Sequence, residues 1–236
     1  MLTINQLTGF AGQGKHAQAS FIASSNNTSL TTGTHNATFS SINLGTPTPN
    51  RVIAVCIAGY VLTSATAALT INSVTIGGVS ATIVSNLSET NTSSGGEGSA
   101  SCIAYIEEST LTSGNIVVNY TCSETGSGPV TDLTVAVYNI TNQNNNAPYN
   151  TSSNSGNSGT SVSKNISVPL LGCTIGAATN GGGGPGNASW TNLTQDVSTG
   201  NTLITGNNNT ASQGTLSVAI NATPIVCTTL SLASWQ

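Results

Sequence analysis

SVTIGGVSATIV, residues 73–84, sets two apolar-alternating runs on either side of a Gly77-Gly78 pair. Two adjacent glycines supply the positive φ angles that a two-residue hairpin turn demands, so this stretch predicts a tight antiparallel hairpin. The prediction extends outward along the chain. In residues 51–62 the apolar positions fill both alternating sets, Val52, Ala54, Cys56 and Ala58 against Ile53, Val55 and Ile57. Such a strand is covered on both faces. In residues 115–122 only one set is apolar, Ile116, Val118, Tyr120 and Cys122, while Asn119 and Thr121 point the other way. That is the half-buried pattern of a sandwich sheet.

Further strands are expected at residues 18–23, 37–44, 69–76, 80–85, 100–107, 132–140, 161–168, 170–177, 203–205, 214–221 and 225–234. Gly, Asn, Ser and Pro separate them, and no window combines helical periodicity with helix caps. The expected fold class is all-β, an antiparallel β-sandwich of jelly-roll-like or immunoglobulin-like type. Polar stretches at 86–99, 123–130, 141–160, 180–186 and 206–212 are read as loops. Residues 1–17 form an N-terminal extension with apolar anchors Leu2, Ile4, Leu7 and Phe10, suited to docking on a neighbouring subunit. Residues 18–236 form a single β-sandwich domain, a length that all-β folds often reach as one unit.

Composition narrows the function. Only ten of 236 side chains carry a formal charge, and about half of the chain is Ser, Thr, Asn or Gly. A hydrophobic fraction of 37%, clustered in strand-like runs, argues for folding over disorder. With Lys15, Arg51 and Lys164 as its cations, the chain has no basic footprint for nucleic acid or an anionic membrane. The longest apolar run, residues 52–62, falls far short of the roughly 20 residues that span hydrocarbon. The N-terminus has no charged region followed by an apolar one, so no secretory signal is expected.

The five cysteines, Cys56, Cys102, Cys122, Cys173 and Cys227, sit in or at the ends of apolar runs without CxxC spacing. They read as buried free thiols acting as small hydrophobes, with one or two disulfides as the alternative. No metal or cofactor site is expected. His16 and His35 lie in Gly- and Thr-rich sequence, and no D-x-D-x-D-G run offers a calcium loop. The GGGGPG run at 181–186 lacks the GK[ST] ending and the helix of a phosphate cradle. Glu107 and Glu108 point to opposite faces of a strand, neither histidine lies in a catalytic motif, and no enzyme is expected. Sequons at Asn36, Asn86, Asn119, Asn139, Asn165, Asn187 and Asn221 accord with chance in a chain this rich in Asn, Ser and Thr.

The order RVIAVCIAGY, INSVTIGGVSATIV, SASCIAYIEE, GNIVVNYTC, LTVAVYNITN, ISVPLLGCTIGAATN and LSLASWQ, spanning residues 37–236, resembles β-sandwich virion proteins of tailed bacteriophages. The resemblance implies a capsid-decoration or tail-associated component, assembled in the host cytoplasm and extracellular when mature. Its partners would be other virion proteins and copies of itself; it brings no catalytic residues. A surface low in charge lets identical subunits pack without accumulating repulsion. A second reading is a carbohydrate-binding host-recognition or adhesive module, in which the loops near Tyr149, the 181–186 tip and Trp190 would contact a host surface glycan, with a core or hairpin-anchoring role the alternative for Trp190. A third is a filament or surface-layer subunit joined through exposed strand edges. Trp235 is expected to close the last strand against the sandwich.

Overall fold

A computed structural model describes residues 15–27, 30–63, 66–91, 96–125, 130–180, 188–199, 203–209 and 213–236. Its strands are β1 (Gln18–Asn27), β2 (Gly33–Asn43), β3 (Val52–Leu62), β4 (Thr66–Ile76), β5 (Val79–Ser80), β6 (Thr82–Asn91), β7 (Glu97–Glu107), β8 (Ser113–Thr125) and β9 (Val130–Thr141). The second half adds β10 (Asn150–Gly156), β11 (Ser161–Val168), β12 (Cys173–Ala178), β13 (Ser189–Thr191), β14 (Thr194–Thr199), β15 (Leu203–Asn208), β16 (Gly214–Asn221) and β17 (Thr228–Trp235). No helix occurs among the described residues, and every strand pair is antiparallel.

Within residues 18–236 the strands form four sheets. Sheet I has the order β2-β8-β4-β5, sheet II β1-β9-β3-β7-β6, sheet III β10-β17-β12-β15-β14 and sheet IV β11-β16-β13. Three apolar cores lie between consecutive layers, so the sheets stack in the order I, II, III, IV. The first core joins I to II, through residues such as Leu69, Ile71 and Val118 against Ile53, Val55 and Val135. The second joins II to III, with Ala54, Cys56 and Tyr138 facing Ile175, Ala233 and Trp235. The third joins III to IV, with Leu230 and Leu232 facing Val162, Ile166 and Val218. Strand β3 is therefore buried on both faces, as its doubly apolar sequence demands.

The two halves repeat one connectivity. Val79 to Asn91 is a single strand interrupted at Ala81, pairing first with β4 in sheet I and then with β7 in sheet II. Counted so, the first half has strand order 1-8-3-6-5 over 2-7-4-5, and the second half 1-8-3-6-5 over 2-7-4. This is jelly-roll connectivity, twice. The repeat reaches residue level in the last strands, where Leu133-Thr-Val-Ala-Val-Tyr-Asn139 corresponds to Leu230-Ser-Leu-Ala-Ser-Trp-Gln236. Tyr138 and Trp235 both enter the II/III core, and Leu133 and Leu230 both face their own outer sheets. Packing between the halves is reciprocal: β6 meets β10 and β14 meets β1, while β7 meets β12 and β15 meets β3.

Local chemistry explains the irregularities. Gly77 and Gly78 take φ of 59° and 85°, the pair of positive values that a type I′ turn needs. In β4 a bulge at Asn72 inserts one residue, so that Leu69 and Ile71 before it and Val74 and Ile76 after it all point inward. The expected loop at 141–160 contains β10, whose polar NTSSNSG carries no apolar alternation. It forms as an edge strand because β17 offers a complete row of partners. Likewise β6 and β7 extend into the expected loop at 86–99, and β13 and β14 form where no strand was expected.

Candidate functional site

The outermost faces of the stack concentrate the uncharged polar residues. On sheet I, Asn119 Nδ2 donates to Asn36 Oδ1 at 2.7 Å, and Asn72 Nδ2 donates to Asn119 Oδ1 and Thr121 Oγ1, both at 2.9 Å. Thr121 and Thr34 share a further hydrogen bond of 2.9 Å between their hydroxyls. Three strands are thus tied by a side-chain network with no charge in it. Asn72 joins it only because the bulge turns that residue outward.

Sheet IV presents Ser161, Ser163, Asn165 and Ser167 from β11 beside Thr215, Ser217 and Asn221 from β16. Asn221 Nδ2 donates to Thr191 Oγ1 at 2.9 Å. The strands of the two outer sheets carry one lysine, Lys164, and one carboxylate, Glu124. Thr32 donates to that carboxylate at 2.5 Å. Alternation in residues 115–122 had already pointed Asn119 and Thr121 outward; the cross-strand network that they join depends on register and was not legible.

One of the three cations is inside. Arg51 is 1% exposed, and its guanidinium donates to four backbone carbonyls. Nε bonds Glu108 O at 3.0 Å, Nη1 bonds Leu44 O and Thr46 O at 3.0 Å each, and Nη2 bonds Leu111 O at 2.5 Å. Burial lowers its pKa from the ordinary arginine value, and the Glu108 carboxylate opposes that shift. The residue ties the β2–β3 and β7–β8 connections at one end of the first jelly roll. Lys15 and Lys164 are both exposed.

Polar groups also line the II/III seam. The buried Glu97 accepts from Tyr60 Oη at 3.0 Å and from Asn91 Nδ2 at 3.4 Å. Desolvation raises its pKa above the ordinary carboxylate value, with both hydrogen bonds pulling the other way. Tyr138 Oη donates to Asp196 Oδ2 at 2.9 Å and lies 2.8 Å from Thr205 Oγ1. Ser101 and Ser231, both fully buried, meet across the seam at 3.0 Å.

All five cysteines are free and buried, as expected. Desolvation pushes Cys102, Cys173 and Cys227 up to about 12 and Cys122 to about 11, so these thiols are neutral and weakly nucleophilic at neutral pH. No group of three or more potential metal ligands occurs among the described residues.

The residues singled out for glycan contact are not brought together. Trp190 lies over the Gly176–Gly206 pair of sheet III, where an added Cβ would meet its ring at 3.0 and 3.1 Å. The ring packs against the III/IV core, and its buried Nε1 has no hydrogen-bond partner. Tyr149 is 53% exposed and precedes β10 at the opposite edge of sheet III. The 181–186 tip lies outside the described residues, as do Leu2, Ile4, Leu7 and Phe10. Trp235 is fully buried, donates to Asn146 O at 3.0 Å and packs edge-on against Tyr105. Comparison with protein families and with curated proteins finds no match.

Proposed function

We propose that this chain is a non-enzymatic structural protein of a virion, a capsid-decoration or tail-associated component that packs against copies of itself and other virion proteins. The observation that carries the reading is the pair of charge-poor, hydrogen-bonded outer faces on a stack of two jelly rolls. Jelly rolls recur in viral capsid and lectin domains, so the fold admits both roles and the surface must discriminate. Interface cores are depleted in charge, and side chains already held by neighbours lose little entropy when a partner arrives. A face meant for freely diffusing monomers would instead carry both signs of charge.

The test is quantitative mass spectrometry of particles purified from the producing culture. Many copies per particle, retained through a high-salt wash, are the expected result, because contacts without charge are not screened. Absence from purified particles, or a full release by salt, overturns the proposal. Glycan binding by the isolated chain that is lost in Tyr149→Ala, with no copy in particles, would favour host or surface recognition instead.

A further inference from the structure

We propose that the exposed Tyr149 and Leu170, at one end of sheet III, are the docking points for residues 1–14 of a second copy of this chain. This rests on the self-packing reading above. Three large hydrophobic side chains are markedly exposed among the described residues, and two of them, Tyr149 and Leu170, are each 53% exposed. Both lie at one end of sheet III. Tyr149 N donates to Ser234 O at 2.7 Å. Ser234 Oγ donates to Ser167 O at 2.8 Å, and Ser167 N donates to Asn150 Oδ1 at 3.2 Å. These bonds bind the start of β10 and the end of β11, three residues before Leu170, to the end of β17. Ala147 is exposed beside Tyr149, and Pro148 and Leu171 are half-buried. No charged side chain lies in residues 147–150 or 165–173.

The N-terminal chain meets the same end. Ala17 N donates to Leu171 O at 2.8 Å, one residue from Leu170. The 14 residues that precede Lys15 bring Leu2, Ile4, Leu7 and Phe10, no charged side chain, and an extended reach of about 45 Å. Exit point and acceptor therefore adjoin. Two copies related by a two-fold axis at this end place each N-terminal segment against the other's patch, a reciprocal contact that closes as a dimer. The occupant offers the apolar anchors Leu2, Ile4, Leu7 and Phe10 among polar and glycine residues and carries no charge.

The experiment uses the full chain with a photo-crosslinking amino acid in place of Phe10, irradiated at concentrations above and below the dimer transition found by sedimentation. The expected product is a covalent dimer in which position 10 is joined to residues 147–149 or 168–172, and Leu170→Asn lowers its yield at least tenfold while the far-ultraviolet dichroism stays unchanged. A crosslink to the same residues within a monomer overturns docking between copies. A crosslink elsewhere, or a dimer yield unmoved by Leu170→Asn, overturns the acceptor site. Virion packing through the outer sheets is tested separately by particle composition, so either reading can fail alone.

Discussion

Replacing Arg51 by Met keeps an unbranched apolar stem and removes every donor along with the volume of the guanidinium. Four carbonyls, of Leu44, Thr46, Glu108 and Leu111, lose their partner. Hydrogen bonds to a charged group contribute about 1.5–3 kcal/mol each, and leaving a buried acceptor unpaired costs about 1–3 kcal/mol. Against that, the variant no longer buries a cation whose desolvation costs several kcal/mol. Some of the four carbonyls regain water, since three of the bonds are only partly buried. The balance is a loss of about 3–4 kcal/mol, in line with breaking other buried charge networks. Arg51→Lys keeps the charge but has three donors on one nitrogen, which cannot span carbonyls contributed by two separate connections, so it loses about 2 kcal/mol. Urea titration followed by tryptophan fluorescence measures both as a lower midpoint at constant slope. A Met variant within 1 kcal/mol of the parent refutes the reasoning, because the four bonds would then contribute nothing beyond what water supplies.

Glu97 has a folded-state pKa raised by burial, so the folded state holds its proton more tightly than the unfolded chain and the associated stability is lost as pH rises through that value. Glu97→Gln removes this dependence; chemical denaturation from about pH 4 to 8 should show a flatter profile, and a slope identical to the parent's would contradict the assignment. Gly206→Ala places a Cβ 2.7 Å from Thr194 O and 3.1 Å from the Trp190 ring, and costs about 1–3 kcal/mol by thermal unfolding; a neutral result would mean that β14 and Trp190 yield freely. Trp190→Ala empties the same slot and costs about 3–5 kcal/mol on the same assay. A thiol reagent at neutral pH should modify none of the five cysteines in the folded protein and all five in denaturant; rapid modification of one in the native state would place it at the surface.

Strand periodicity made the fold class legible because burial on one or both faces leaves a period-two trace, plain in residues 51–62 and 115–122. The hairpin at Gly77-Gly78 was legible for a stricter reason, since few residue pairs accept two positive φ angles. Strand β10 was not, because an edge strand of Asn, Ser and Thr takes its conformation from β17 and from no property of its own. Arg51 could be seen only as a cation; its four acceptors come from two connections up to 60 residues away. The repeat stood in plain view as LTVAVYN and LSLASWQ, yet seven residues with one identical pair beyond the leading Leu carry little weight until both are seen at the same place in two sheets. Trp190 illustrates the limit for sites, since only the glycine pair beneath it, 14 and 16 residues away in sequence, decides which way the ring faces.

The repeated connectivity also accounts for where the apolar and polar residues fall. A lone jelly roll has one internal core and two outer faces that must be wetted. Stacking two copies through sheets II and III converts one outer face of each into a shared core, which is why β3 and β12 are apolar or small on both sides. The shared core is less apolar than the other two, with Ser101, Ser231, Thr134, Thr205 and Tyr138 paired across or along it. Most of those residues are small, all are hydrogen-bonded, and the two carboxylates beside them, Glu97 and Asp196, accept from Tyr60 and Tyr138. Sheets I and IV carry related chemistry, with Asn and Thr networks in place and no further sheet over them among the described residues. The molecule thus contains, in its own seam, a worked instance of how a charge-poor hydroxyl and amide face is covered, and that precedent is the physical ground for expecting further layers outside it.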